Sequence, residues 1–225
     1  MGATAAVFLS ASIPDPAKAP EYARTADSVA ITTAVGALIH VVLGRRKLVW
    51  GGHPAITPMI YAVAEDMGLD YGSWVQLYQS DFFDDQFPED NEKFRNIVYT
   101  KKVIEDRDAS LLVMRQKMFT EQKFDAAVFV GGMGGIIAEY DLFRQAQPDA
   151  TIVPIASTGG ATLEIVEALP SIEQDLIDDL DYVGLLHRKL GIAVEELRYP
   201  RPIDQPTDVT NRIRQRKDGG FLSNA

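Results

Sequence analysis

Ala126-Ala127-Val128-Phe129-Val130-Gly131-Gly132-Met133-Gly134-Gly135-Ile136-Ile137-Ala138-Glu139 reads as a buried strand, a tight turn and the start of a helix. Ala126 to Val130 are small or apolar, as a strand covered on both faces requires. Two glycine pairs, Gly131-Gly132 and Gly134-Gly135, then flank Met133. Glycine is needed where the backbone takes a positive φ or comes close to a ligand. A glycine turn ahead of a helix aims unpaired N–H groups at one point, and the helix dipole favours an anion there. The same residues also suit a plain strand–helix turn that holds no ligand.

The bulk numbers narrow the class. The chain has 225 residues, and apolar residues make up 46% of it, enough for a sizeable core. The formal net charge is −10. Nucleic-acid binding is therefore not expected, because neutralising phosphates takes clustered Lys and Arg. With no cysteine, disulfides, thiolate metal sites and Cys nucleophiles are excluded. No metal or cofactor is expected. No apolar run is long enough to span a bilayer, and no basic region precedes the first apolar residues as a signal peptide would need. A soluble cytoplasmic protein with no membrane partner is the expectation.

Working outward, the strand–turn–helix pattern recurs. Ala5 to Leu9 reads as the first strand and runs into Ser10-Ala11-Ser12-Ile13-Pro14. Ser10 and Ser12 are placed for phosphate or ribose contacts at a strand's carboxyl end, and equally for ordinary turn bonding. Glu21 to Leu43 has helical periodicity, with Val29, Thr33, Gly36, Ala37 and His40 on its inner face and His40 as a packed core histidine. Leu48-Val49-Trp50 is a second strand. It ends in a second glycine turn, Gly51-Gly52-His53-Pro54, ahead of a helix from Ile56 to Met67. Gly51, Gly52 and His53 are thus candidate ligand contacts. Trp74 to Tyr78 reads as a third strand, and Asp81 to Asp90 as an acidic loop with Phe82, Phe83 and Phe87 turned inward or against a second subunit. Asn96 to Thr100 is a short strand and Asp108 to Gln122 a helix. Thr151 to Ile155 is a strand that ends in a third small-residue turn, Ser157-Thr158-Gly159-Gly160-Ala161, before a helix from Thr162 to Ala168. This alternation predicts an α/β fold: a Rossmann-like, open, mostly parallel sheet with helices on both faces.

Beyond Pro170 the pattern changes. Ser171 to Leu190 reads as one acidic amphipathic helix, and Tyr199 to Ala225 as a tail rich in Pro, Arg and Asp that contains the basic run Arg212 to Lys217. The expected division is a Rossmann-like domain over 1–170 and a C-terminal helix and tail over 171–225, packed on it.

One side chain in the helix from Asp108 is out of character. Leu111, Leu112, Met114, Met118 and Phe119 share one arc, and Arg115 falls inside it. Arginine cannot be neutralised, so a buried guanidinium needs an anionic or multi-acceptor partner. A protein carboxylate such as Glu139 suits it, and so does a ligand phosphate. Snorkelling out past its neighbours is the third option.

These pieces together resemble the SLOG superfamily, which joins the LOG-type phosphoribohydrolases, the Smf/DprA proteins and ligand-sensing domains of TRPM channels and bacterial conflict systems. Val7 to Ser12 resembles the family's first strand and small-residue turn. Leu48-Val49-Trp50-Gly51-Gly52 resembles its Tyr-Gly-Gly segment. Val130 to Glu139 resembles the LOG signature Pro-Gly-Gly-x-Gly-Thr-x-x-Glu, and Arg115 stands fifteen positions before Val130, as the family's arginine does before the signature's proline. The resemblance covers roughly residues 5 to 168. In this chain Val130 replaces the proline, Gly135 the threonine, and Glu139 comes one residue late, which on a helix is a 100° rotation.

The resemblance implies a nucleotide-derived ligand, such as an ADP-ribose-like or other ribosyl phosphate, bound in the crevice by a sensor. Gly131, Gly132, Met133, Gly134 and Gly135, with Ser157, Thr158 and Gly159, would supply backbone N–H groups to phosphates. Glu139 would take ribose hydroxyls, and Ser10 and Ser12 would close the site. The alternative is an N-glycosidase acting on nucleoside 5'-monophosphates, with Glu139 as the catalytic carboxylate and Arg115 orienting it or the phosphate. A second alternative is an assembly protein with a vestigial crevice. The resemblance also implies a homodimer or larger. Aromatic residues in an otherwise polar loop want cover, so the three phenylalanines or the 171–190 helix are expected at the interface.

Overall fold

A computed structural model describes residues 6–67, 71–87 and 89–214. Ala5 of the first strand and the end of the basic run, 215–217, lie outside the described residues. The strands are β1 (Ala6–Ser12), β2 (Lys47–Trp50), β3 (Val75–Ser80), β4 (Ile97–Thr100), β5 (Phe124–Gly131) and β6 (Thr151–Ile155). They form one sheet in the order β4-β3-β2-β1-β5-β6, and every neighbouring pair is parallel. The chain builds outward from β1 to β4, then returns to the other side of β1 for β5 and β6. The order therefore reverses between β1 and β5, where an open parallel sheet forms a crevice at its carboxyl edge. Ser12 and Gly131 are register partners at that edge.

Alternate strand residues feed two cores, as a period of two dictates. Val7, Leu9, Leu48, Trp50, Leu77, Val128 and Val130 pack with α2 (Ser28–Val42) and α3 (Thr57–Asp66). Ala6, Phe8, Val49, Tyr78, Ala127 and Phe129 pack with α5 (Arg107–Glu121), α6 (Gly134–Ala146) and α7 (Thr162–Ala168). Two short helices, α1 (Pro20–Ala23) and α4 (Tyr71–Trp74), sit between the larger elements. Helices thus cover both faces of a Rossmann-like α/β sheet. Among the described residues, no helix is long and apolar enough to cross a membrane.

Several local expectations change. The helix expected from Glu21 breaks, because the Asp27 side chain accepts from the amides of Val29 and Ala30 and caps a new helix. The buried face of α2 keeps Ala37 of the expected arc but is built on Ile31, Val35, Leu38, Ile39, Val41 and Val42, which carry more apolar surface than the rest of that arc. His40 is therefore exposed, with Nδ1 beside Gly36 O, and Val29 is exposed as well. Trp74 belongs to α4 and not to β3. On α5, Arg115 is buried, whereas Leu112 is exposed.

The stretch 171–190 is not one helix. It contains α8 (Asp175–Asp178) and α9 (Tyr182–Lys189). Asp181 accepts from Gly184 N and caps α9, and Asp179 accepts from the amide of Asp181. Aspartates in those positions stabilise caps and turns instead of continuing a helix. Leu176, Tyr182, Leu185, Leu186 and Ile192 join the α2 side of the core. Downstream, 193–214 is strapped to the sheet's amino edge. Arg46 Nη1 donates to Glu196 Oε1 at 2.6 Å, and Arg212 Nη1 lies 3.6 Å from the same oxygen. Burial, helped by Arg198, lowers the Arg45 pKa to about 10.

Candidate functional site

The reversal point gathers residues from five elements. On β1, Ser10 lies on the Phe8 side of the sheet, and its Oγ donates to Glu139 Oε2 at 2.5 Å. On α5, Arg115 Nε donates to Glu139 Oε1 at 3.2 Å, and its Nη2 donates to Gly135 O at 3.2 Å. The guanidinium's partner is thus a protein carboxylate plus a backbone carbonyl. Glu139, one residue past the position the signature predicts, still meets both Arg115 and Ser10. At the end of β2, a Cβ built on Gly51 would lie 3.9 Å from Glu139 Oε1 and 3.3 Å from Met114 Cε. The second glycine turn therefore borders the same carboxylate.

The central turn divides its amides between the fold and the crevice. Gly131 N donates to Thr158 Oγ1 at 2.9 Å, and Gly132 N donates to Ser12 O at 2.8 Å. Both glycines have positive φ, and a Cβ on Gly131 would press on Ile31 and on Ser12 O. The next three amides, Met133, Gly134 and Gly135, meet no acceptor among the described residues. Met133 precedes α6 without a side-chain cap. These N–H groups form an open, positively polarised end of a helix.

The third turn supports the central one. Thr158 Oγ1 holds Gly131 N and donates to Ile155 O at 2.6 Å. Gly159 N donates to Ala156 O, Gly160 N to Thr25 Oγ1 and Ala161 N to Gly132 O. Thr162 Oγ1 donates to Gly131 O at 2.9 Å. Ser157 Oγ lies 3.1 Å from Tyr182 OH. The Thr158 hydroxyl and the Gly159 amide are thus bonded within the fold and buttress the central turn.

His53 is also bound up locally. Its Nδ1 accepts from Ala55 N at 3.2 Å, and its carbonyl accepts from the amides of Ile56 and Thr57 at the start of α3. Burial pushes its pKa below the usual histidine value. Gly52 has φ +74°, and its carbonyl accepts from Gln79 Nε2 at 3.3 Å. Sequence reasoning missed Gln79, which is buried on β3 beneath that turn. A polar residue at a strand's carboxyl end was the available signal.

A family model described as the SLOG cluster3 family matches residues 21–190. The matched range holds Gly51, Gly52, Arg115, the central turn, Glu139 and the third turn, and begins after Ser12. No curated protein matches the chain.

Proposed function

The chain belongs to the SLOG cluster3 family, which supports a nucleotide-related ligand-binding domain, and on that premise we propose that its crevice binds a nucleotide-derived ribosyl phosphate and acts as a sensor. One observation carries this reading. The amides of Met133, Gly134 and Gly135, which meet no acceptor among the described residues, open the same helix that carries Glu139, whose carboxylate Ser10 and Arg115 hold. The amides suit a phosphate, and the carboxylate suits ribose hydroxyls, since each of its oxygens keeps acceptor capacity beyond its present bond. Arg115 serves as a positioning residue for Glu139. The ligand is a small molecule, and neither nucleic acid nor a membrane is a partner in this reading.

A thermal-shift screen of nucleoside monophosphates, ADP-ribose and cyclic ADP-ribose-like compounds tests it. Binding to the native state raises the melting temperature by mass action. No shift with any of them at millimolar concentration would remove the reading.

The N-glycosidase is the second reading, favoured by the fixed carboxylate itself. A positioned glutamate beside a ribose is what oxocarbenium-like chemistry needs. Release of free base on long incubation separates it from a sensor, which returns its nucleotide intact.

A further inference from the structure

Phe82 and Phe83 follow β3 in a 3-10 turn, Asp81–Gln86, at the sheet's carboxyl edge. Both rings are half-buried, and they meet edge to face at 5.1 Å. The sheet and α5 fix where they stand relative to Glu139. Tyr78 packs in the core on the α5 and α6 side, so Ser80, two residues on, lies on that face too. Its Oγ accepts from Phe82 N at 3.3 Å. On α5, Arg107, Leu111, Met114, Arg115 and Met118 share one arc. Met114 and Met118 are buried in the same core, and Arg115 reaches Glu139, so the arc faces the sheet and the crevice. Arg107 is the first residue of the arc, and its guanidinium stands 5.9 Å from the centre of the Phe83 ring. The aromatic pair therefore stands on the Glu139 side of the sheet, at the start of α5. Gly51 lies between, since a Cβ built on it would be 3.9 Å from Glu139 Oε1. β2, which runs into Gly51, and β3, which runs into the aromatic turn, are neighbours, about 4.8 Å apart.

We propose that the Phe82–Phe83 pair is the stacking platform for the nucleobase and reads it by its ring face, not by its hydrogen-bonding edge. This rests on the nucleotide reading above. With the phosphate at Met133–Gly135 and the ribose at Glu139, the base passes over Gly51 and lies against the rings. Charge sets the same direction. Asp81, Asp84 and Asp85 share the aromatic turn and repel a phosphate, whereas an uncharged base meets no such repulsion. Stacking grows with ring area, so purines are favoured over pyrimidines, with little choice among purines.

Titration calorimetry with AMP, GMP, UMP and ribose 5-phosphate tests this, on the full chain and on the double variant Phe82→Leu/Phe83→Leu, which keeps apolar bulk and removes the rings. The unaltered protein is expected to bind AMP about tenfold more tightly than ribose 5-phosphate, with GMP close to AMP and UMP in between. The double variant is expected to bind AMP about tenfold less tightly, and ribose 5-phosphate, which has no base, as before. Equal AMP affinity in both proteins, an equal loss for AMP and ribose 5-phosphate, or a GMP affinity more than tenfold from that of AMP overturns the inference and leaves the nucleotide reading standing. Failure of all four probes to bind the unaltered protein overturns both. Phe83→Leu alone gives the same comparison if the double variant does not fold.

Discussion

Arg115 Nε lies 3.2 Å from Glu139 Oε1, with the two side chains only 11% and 16% exposed, and this pair ties α5 to α6 at the crevice. Removing one member of a mostly buried pair leaves the other without its partner. Arg115→Ala is expected to lower the unfolding free energy by about 1.5–3 kcal/mol, which allows for the residual exposure. Urea denaturation measures it. A loss below about 0.5 kcal/mol would mean that solvent screens the pair.

Glu139→Gln keeps the shape of the side chain and one acceptor oxygen but loses the charge. Affinity for AMP is expected to fall about tenfold, while inorganic phosphate binds as before. In the glycosidase reading, chromatography finds free base with the unaltered protein and none with the variant. Unchanged AMP affinity would place the ribose elsewhere.

The glycines of the two turns should respond in opposite ways. A Cβ on Gly160, which has φ +63°, would stand 2.8 Å from Gly131 C and from Gly132 O, both backbone atoms. Gly160→Ala is expected to cost more than about 2 kcal/mol, since φ strain adds to the clash. Gly134 has nothing within 4 Å of a Cβ and opens α6. Gly134→Ala is expected to leave stability unchanged or raise it by up to about 1 kcal/mol. It should still weaken phosphate binding by crowding the open amides. Thermal melts and phosphate titrations of both variants check the contrast.

The glycine turns and the alternation of strand and helix were legible because steric rules act locally: only a short menu of residues fits a positive φ. Arg115 was legible as a conflict, a permanent cation on an apolar arc. Its actual partner was not, since choosing Glu139 over a ligand phosphate depends on how α5 and α6 meet. The support that the third turn gives the central one was hidden for a related reason. Ser157-Thr158-Gly159-Gly160 looks like an anion loop in sequence, and only the approach of Gly131 to Thr158 shows the threonine hydroxyl engaged inside the fold. The strap at the amino edge stayed hidden too, because Arg46 and Glu196 are 150 positions apart.

Assembly is a proposal with its own test. Ile177, Leu180 and Val183 are exposed at 37%, 69% and 47% along α8, α9 and the turn between them, and Phe87 packs only partly, against Tyr99. The exposed apolar side chains between 177 and 183 are best covered by a second copy. Light scattering at micromolar concentration is expected to give a dimer or larger, and Leu180→Asp should shift it toward the monomer. A monomeric mass for the unaltered chain removes the proposal.

His53 gives the second glycine turn a pH dependence whose sign is fixed. Burial lowers its pKa in the fold below the value of 6.5 usual for the residue, and Nδ1 must keep its lone pair to accept from Ala55 N. At pH 7.5 and above, the ring is neutral in the folded and unfolded chains, and His53 contributes no slope. As pH falls through about 6.5, the unfolded chain takes up a proton that the fold does not, so stability declines. The decline ends below the lowered pKa, where both states are protonated. His53→Gln keeps an acceptor for the Ala55 amide and carries no titrating group. The difference between the two proteins in urea midpoint, followed at pH 7.5, 6.5 and 5.5, isolates this residue, since His40 and His187 remain in both. The unaltered chain is expected to lose more stability than the variant on acidification. Parallel profiles would mean that the ring is protonated as easily in the fold as in the open chain, and that the Ala55 bond does not hold the turn.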